Sequence, residues 1–269
     1  MYPVIFRLGP ITVYSFGVLM AVGFYFGALT TVTEYKRRGG DPEPMWNLVV
    51  WIFLAGLVGA RIFSLLNDPA ALMRSPLSEV FAGSGFVWYG GLIGGILASA
   101  ILVRYYRMRL VTLMDCSAPG LAIGQAIGRI GCHVSGDGDW GVPTTLPWGY
   151  AYENAIVGWD FPPGIVVHPT PIYEAIAYTL VFVVLWGLRK RNLPDGTPFS
   201  LYLIGTSVVR FAVEFIRINP RIAFGLTEAQ LIAIVLFVAG AAWLTRNAAF
   251  SRVREAQARA GEGARDRNG

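Results

Sequence analysis

Three arginines, Arg61, Arg129 and Arg210, sit inside long apolar stretches of this chain. An arginine in hydrocarbon costs about 2.5–3.5 kcal/mol on insertion scales, so three of them on separate helices persist only with a partner. The natural partner of a guanidinium group is an anion. Fifteen of the 22 Lys and Arg side chains fall in four segments that alternate with about seven apolar stretches. That is the pattern of an all-α polytopic membrane protein with a buried cationic site.

Composition agrees, because 54% hydrophobic and 14% charged residues lie outside the soluble average. The basic residues gather at the ends of apolar stretches and form no continuous stripe, so no nucleic acid partner is expected. Cys116 and Cys132 fall on one predicted helix. At ~1.5 Å rise they stand about 24 Å apart, beyond the reach of a disulfide.

Spans of about 20 apolar residues are predicted at 12–33, 46–67, 86–104, 114–132, 172–189, 199–217 and 227–246. The first has no basic segment before it and runs straight into further spans, so it reads as a retained helix and not as a cleaved signal. Basic clusters follow the first, third, fifth and seventh spans: Lys36 to Arg38, Arg104 to Arg109, Arg189 to Arg191, and the tail from Arg246 to Arg267. The positive-inside rule makes these four segments cytoplasmic, with the N-terminus outside and the C-terminus inside. The other connections hold only Arg7, Arg74, Arg217 and Arg221, and residues 133–171 contain no Lys or Arg. Rich in Gly, Pro, Trp and acids, 133–171 is expected to fold as a small extracytoplasmic cap. Residues 1–250 are read as one bundle that includes the cap. Residues 251–269 are read as a basic cytoplasmic tail, a short helix fraying into disorder.

Gly91 and Gly95, then Gly120, Gly124 and Gly128, repeat at every fourth position, a spacing suited to close helix packing. Threading the spans from outside places Arg61, Tyr89, Arg129 and Arg210 in one leaflet. In the sixth span Arg210, Glu214 and Arg217 follow i, i+4, i+7 and are expected on a single helical stripe, where the carboxylate bridges two guanidinium groups. Acids to neutralise Arg129 and Arg210 at depth are scarce. An uncompensated positive pocket is therefore expected, suited to bidentate binding of a phospholipid phosphate.

The stretch GQAIGRIGCHVSGDGDWG at 124–141 resembles the signature of the prolipoprotein diacylglyceryl transferase family. Four other segments agree in order and spacing: VYSFGVLMAVGF at 13–24, GARIF at 59–63 with WYGGLIGG at 88–95, HPTPIYEA at 168–175, and RFAVEFIR at 210–217 followed by GLTEAQ. The resemblance implies a seven-span fold with an external cap, in the bacterial cytoplasmic membrane. It also implies transfer of diacylglyceryl from phosphatidylglycerol to the lipobox cysteine of a prolipoprotein, with release of glycerol phosphate. Matched residue by residue, Arg129 and Arg210 fall on the family's two key arginines and Glu214 on its acid after the second. Gly90, Gly91 and Gly94 fall on the glycines of its His-Gly-Gly motif. This chain departs from the pattern with Tyr89 for that histidine, Cys132 for an asparagine, and Phe16 for an early tyrosine. Its SGDGDWG is one residue longer than the usual stretch, which leaves Asp137 and Asp139 as rival counterparts of the family's acid.

Attack on carbon needs a thiolate, and the leaving phosphate needs its charge neutralised. Tyr89, His133 and Glu214 are the candidate bases, unless the cationic field alone forms the thiolate. Arg61 is expected to assist or pair. Tyr173 and Glu174 share the leaflet of the arginines and are given a supporting hydrogen-bonding role. Cys132 reads as packing. No cofactor is expected, and with His133 and His168 the only histidines no His/Cys spacing suits zinc. Two other readings stand beside the transferase: an anionic-lipid transporter or scramblase, which should show inverted repeats and helices broken at midplane, and a paralogous transferase with a different acceptor.

Overall fold

The computed structural model describes residues 1–9, 11–67 and 87–265. Arg74 and the tail's Arg267 lie outside the described residues. The chain opens with an antiparallel hairpin, β1 (Val4–Leu8) and β2 (Ile11–Tyr14). Helices α1 (Ser15–Arg37), α2 (Pro42–Asn67), α3 (Trp88–Tyr105) and α4 (Leu110–Ser135) follow. After the largely irregular segment 136–169 come α5 (Thr170–Leu188), α6 (Thr197–Val213) and a 3-10 turn, Glu214–Ile216. A second hairpin, β3 (Arg221–Ala223) with β4 (Leu226–Thr227), leads into α7 (Glu228–Arg265).

Six of these helices are long and apolar enough to cross a membrane, and the apolar stretch Tyr89–Tyr105 in α3 is a shorter seventh. The expected all-α polytopic membrane architecture is present, with two short hairpins in addition. The first span starts at Ser15 and not at residue 12, because the apolar residues before it pair as strands. Span six also ends early. Its α-helix stops at Val213, and Arg217 is extended, with φ −83° and ψ 156°. Arg217 therefore does not share a helical stripe with Arg210.

The chain divides into two compact units, Met1–Thr31 with Met114–Gly269, and Val32–Leu113. In the second unit α2 and α3 pack backbone to backbone. A Cβ on Gly59 would run into the Gly90 carbonyl oxygen, and one on Gly94 into that of Ala55. Gly91 faces the Gly56 carbonyl oxygen at 3.4 Å from its would-be Cβ. Lipid tails are as apolar as leucine, so close packing of this kind is a main source of helix association in a membrane. Arg61 is buried in α2, and Tyr89 is exposed at the start of α3.

The first unit uses the same device. A Cβ on Gly23 or Gly27 of α1 would come within 2.9 Å of the carbonyl oxygens of Gly124 and Gly120 of α4. At the other end of α4 from the cap, the buried Asp115 accepts from the backbone N–H of Gly196 (2.7 Å) and Phe199 (3.1 Å). It thereby satisfies donors left open at the start of α6. The cap is organised around Trp140, Tyr152 and Val167, with Met1, Ala155, Trp159 and Phe161 against them. The Tyr2 N–H donates to the Val134 carbonyl at 3.1 Å, so the N-terminus and the cap lie at one end of this unit.

Gly59→Ala is expected to destabilise the α2–α3 pair by about 1–3 kcal/mol, the usual cost of overpacking. The check is the thermal unfolding midpoint in detergent: a clear drop is expected, and an unchanged midpoint would contradict the packing described.

Candidate active site

Four pieces of chain deliver charged side chains to one point. The last turns of α4 bring Arg129, and the first turns of α5 bring Glu174 behind Pro169 and Pro171, two residues suited to a helix start. The end of α6 and the segment after it bring Arg210, Glu214 and Arg217, and the cap brings Asp139. Glu174 Oε1 accepts from Arg210 Nη1 at 2.8 Å, and its Oε2 makes an ion pair with Arg129 Nε at 3.1 Å. Glu214 Oε2 lies 3.0 Å from Arg210 Nη2 and 3.6 Å from Arg217 Nε. Asp139 closes the circuit, pairing with both Arg217 and Arg129. The result is a ring of three guanidinium groups and three carboxylates in strict alternation.

Second contacts brace it. Asn219 Nδ2 donates to Glu214 Oε1 at 2.5 Å, Arg217 Nη1 donates to the Asp139 carbonyl at 3.2 Å, and the Thr170 hydroxyl donates to the same carbonyl. Backbone pairing of Gly141 with Arg217 ties the cap to the extended residue that follows the 3-10 turn. Glu174 and Glu214 are 0% exposed and Arg217 5%, whereas Arg129 and Arg210 are each 23% exposed and Asp139 27%. The buried members form the floor, and the two arginines expected to bind phosphate face outward. Burial pushes the Asp139 carboxyl up, but the Arg217 hydrogen bond and the Arg129 charge outweigh it and hold it below the ordinary carboxylate range.

This geometry corrects the expectation of an uncompensated cationic pocket, because the ring is formally neutral. Six charges taken out of water are tolerable only when each is answered, and here each side chain answers at least two. Glu174, given a supporting role from the sequence, is a full member. The signal for it was present: it is the only Asp or Glu in the apolar stretch 172–189, and a lone acid in a span marks a buried partner. Glu214 does bridge Arg210 and Arg217 as expected, although Arg217 has left the helix.

Of the two rival acids, Asp139 is the one that pairs with the arginines of the ring. Gly136 (φ 66°) and Gly138 (φ 92°) adopt left-handed conformations that favour glycine, and the backbone they shape puts Asp139 into the ring. Asp137 remains at its edge. Its carboxylate, that of Asp139 and the Cys132 thiol have oxygen and sulfur atoms within 4.8 Å of one another. That juxtaposition was not anticipated from His/Cys spacing. Arg129 Nη1 stands 4.0 Å from Cys132 Sγ and also pairs with Asp139, which opposes a cation there.

His133 Nδ1 lies 2.9 Å from the Tyr152 hydroxyl and its ring packs edge-on to Tyr150. It lines a groove of about 440 Å³ with Trp148, Tyr150, Ile172, Tyr173 and Ile176. The Tyr173 hydroxyl accepts from Trp148 Nε1 at 2.8 Å and lies 3.2 Å from His168 Nδ1, so Tyr173 serves the groove and not the ring. Arg61, Tyr89, Gly90, Gly91 and Gly94 belong to the other unit, where the three glycines pack against α2.

Comparison with known proteins completes the picture. Residues 3–246 match the model of a family described as prolipoprotein diacylglyceryl transferase. A phosphatidylglycerol–prolipoprotein diacylglyceryl transferase of Clostridium tetani is 31% identical over 242 residues, 89% of this chain and 95% of the relative. One from Gloeobacter violaceus is 32% identical over 258 residues, covering 92% and 94%. One from Halalkalibacterium halodurans is 33% identical over 239 residues, covering 87% and 82%. With five ordered motifs, a multi-pass helical fold and a match along nearly its whole length, the chain belongs to the prolipoprotein diacylglyceryl transferase family.

Proposed function

We propose that this protein transfers the diacylglyceryl group of phosphatidylglycerol to the lipobox cysteine thiol of a prolipoprotein, forming a thioether and releasing glycerol phosphate. The observation that carries the reading is the outward presentation of Arg129 and Arg210 by a carboxylate they share, in a member of this family. A guanidinium group has five N–H donors. The ring engages Nε and Nη1 of Arg129 and Nη1 and Nη2 of Arg210 in ion pairs, and N–H groups on both remain for a phosphate. The acids fix the forks before the lipid arrives, and little reorganisation accompanies the growth of charge on the leaving phosphate.

In this reading the enzyme spans the cytoplasmic membrane of a bacterium with its N-terminus and cap outside. The four basic segments lie inside, as the positive-inside rule asks. The headgroup enters from the outer leaflet and rests against Arg129 and Arg210. Glu214 orients Arg210, and Glu174 keeps the two arginines at a fixed separation. The thiol attacks the glyceryl carbon that carries the phosphate, and the C–O bond opens toward the guanidinium pair. Tyr173 and the groove around it support the precursor's segment next to its cysteine.

Purified protein in phosphatidylglycerol vesicles, given a lipobox peptide, is expected to yield glycerol phosphate and a diacylglyceryl mass gain on the peptide. Arg129→Ala and Arg210→Ala are each expected to lower turnover by at least ~100-fold, the usual loss when one transition-state donor is removed. Lysine at either position should restore little, because an ammonium lacks the planar fork. Turnover retained in both alanine variants would refute the phosphate role. Glu174→Gln removes the charge between two guanidinium groups and should cost about 3–5 kcal/mol of stability. A lower thermal midpoint together with reduced turnover is the expected result, and an unaffected protein would show that the ring is dispensable.

A further inference from the structure

The position of the histidine in the family's motif is Tyr89 in this chain, and the ring of charges offers carboxylates as acceptors for the proton of the incoming thiol. Glu174 and Glu214 are fully buried between guanidinium groups, and Glu214 also takes the Asn219 amide. Asp139 gives one oxygen to Arg129 and the other to Arg217. Among the described residues, one carboxylate at this site makes no ion pair with a guanidinium group, and that is Asp137. Only partly buried, it sits at the rim of the ring, with an oxygen within 4.8 Å of an Asp139 carboxylate oxygen and of Cys132 Sγ. Its Oδ1 accepts from the Asp139 N–H at 3.4 Å, which fixes the loop, and the carboxylate also takes a hydrogen bond from the Cys132 thiol.

We propose that Asp137 is the base that accepts the proton of the prolipoprotein cysteine, an inference that rests on the transferase reading above. The place is suited to it: a partly buried carboxylate beside Arg129, to which the buried Cys132 already presents one thiol. The charged and titratable groups around it are Arg129 and Cys132 from α4, and Asp139 and Tyr152 from the cap. Burial, then the neighbouring Asp139 charge, push the Asp137 carboxyl above its ordinary range, against the thiol hydrogen bond, the Asp139 N–H and the Arg129 charge. A raised carboxyl is a stronger base than an ordinary one.

The step balances without any further reagent. The S–H bond breaks and its proton moves to Asp137. The sulfur lone pair forms the C–S bond to the glyceryl carbon. The C–O bond to phosphate breaks, and its electron pair goes to the phosphate oxygen held by Arg129 and Arg210. Asp137 then returns the proton to the departing glycerol phosphate or to water.

The test uses the full-length protein in phosphatidylglycerol vesicles with two lipobox peptides, one with cysteine and one with selenocysteine, whose selenol is already ionised at neutral pH. With the cysteine peptide, Asp137→Asn is expected to lower kcat by about 100-fold or more, the usual range for a lost general base. KM for the peptide should stay within about threefold of wild type. The wild-type rate should fall as pH drops through the Asp137 pKa. The variant should lose that limb and rise instead with ionisation of the thiol, whose pKa is ~8.5. With the selenocysteine peptide the variant should recover to within about fivefold of wild type, a rescue that a purely structural defect would not allow. Asp137→Glu should keep measurable turnover of the cysteine peptide and its acid limb. Equal loss on both peptides, or a variant with wild-type rate and pH profile, would overturn the assignment. Absence of transfer by the wild-type protein would instead overturn the transferase reading itself.

Discussion

The site depends on one circuit of alternating charge. Arg129, Glu174, Arg210, Glu214, Arg217 and Asp139 come from two helix ends, one helix start, a 3-10 turn, an extended segment and the cap, and each touches at least two neighbours of opposite sign. No pair of them could be buried alone at low cost, since desolvation of two ions commonly equals or exceeds their attraction. Closing the circuit changes the balance, because every carboxylate is shared and every guanidinium fork is held in a set direction. The site is thus stiff where it holds charge and open on the side of Arg129 and Arg210.

Glycine does the complementary work among the helices. Close approach of Gly23 and Gly27 to Gly124 and Gly120 holds α1 against α4, whose far end carries Arg129. Hydrophobic burial offers little to drive such contacts in lipid, so backbone proximity and satisfied polar groups take its place. Asp115, capping α6 at the opposite end from the ring, fits the same account: it fixes where the helix that carries Arg210 begins.

Much of this was legible before any coordinates. Apolar runs of span length marked the helices, and two of the three arginines within those runs, Arg129 and Arg210, meet in the ring, because such placements are costly without a partner. Glu214 was readable as a bridge from its i, i+4 relation to Arg210. What remained hidden depended on backbone details that periodicity does not carry. The i+7 spacing of Arg217 continued a helical pattern that the chain abandons at Val213. The choice between Asp137 and Asp139 rested on left-handed turns at Gly136 and Gly138, and a spacing of two along an irregular loop says nothing about which side chain turns inward. The opening hairpin was masked because its apolar strands run into the first span without a change in composition.

The seam between Gly141 and Arg217 bears on how a two-chain lipid reaches its place. Asp139 sits in the cap and Arg217 in the segment stitched to it, so lifting the cap like a lid would unpair two ring members in one movement and strand the remaining charges. An entrance through the roof is thus the energetically steep route. A lipid sliding in flank-first, tails still in the bilayer and headgroup leading, leaves every stitch of that seam in place.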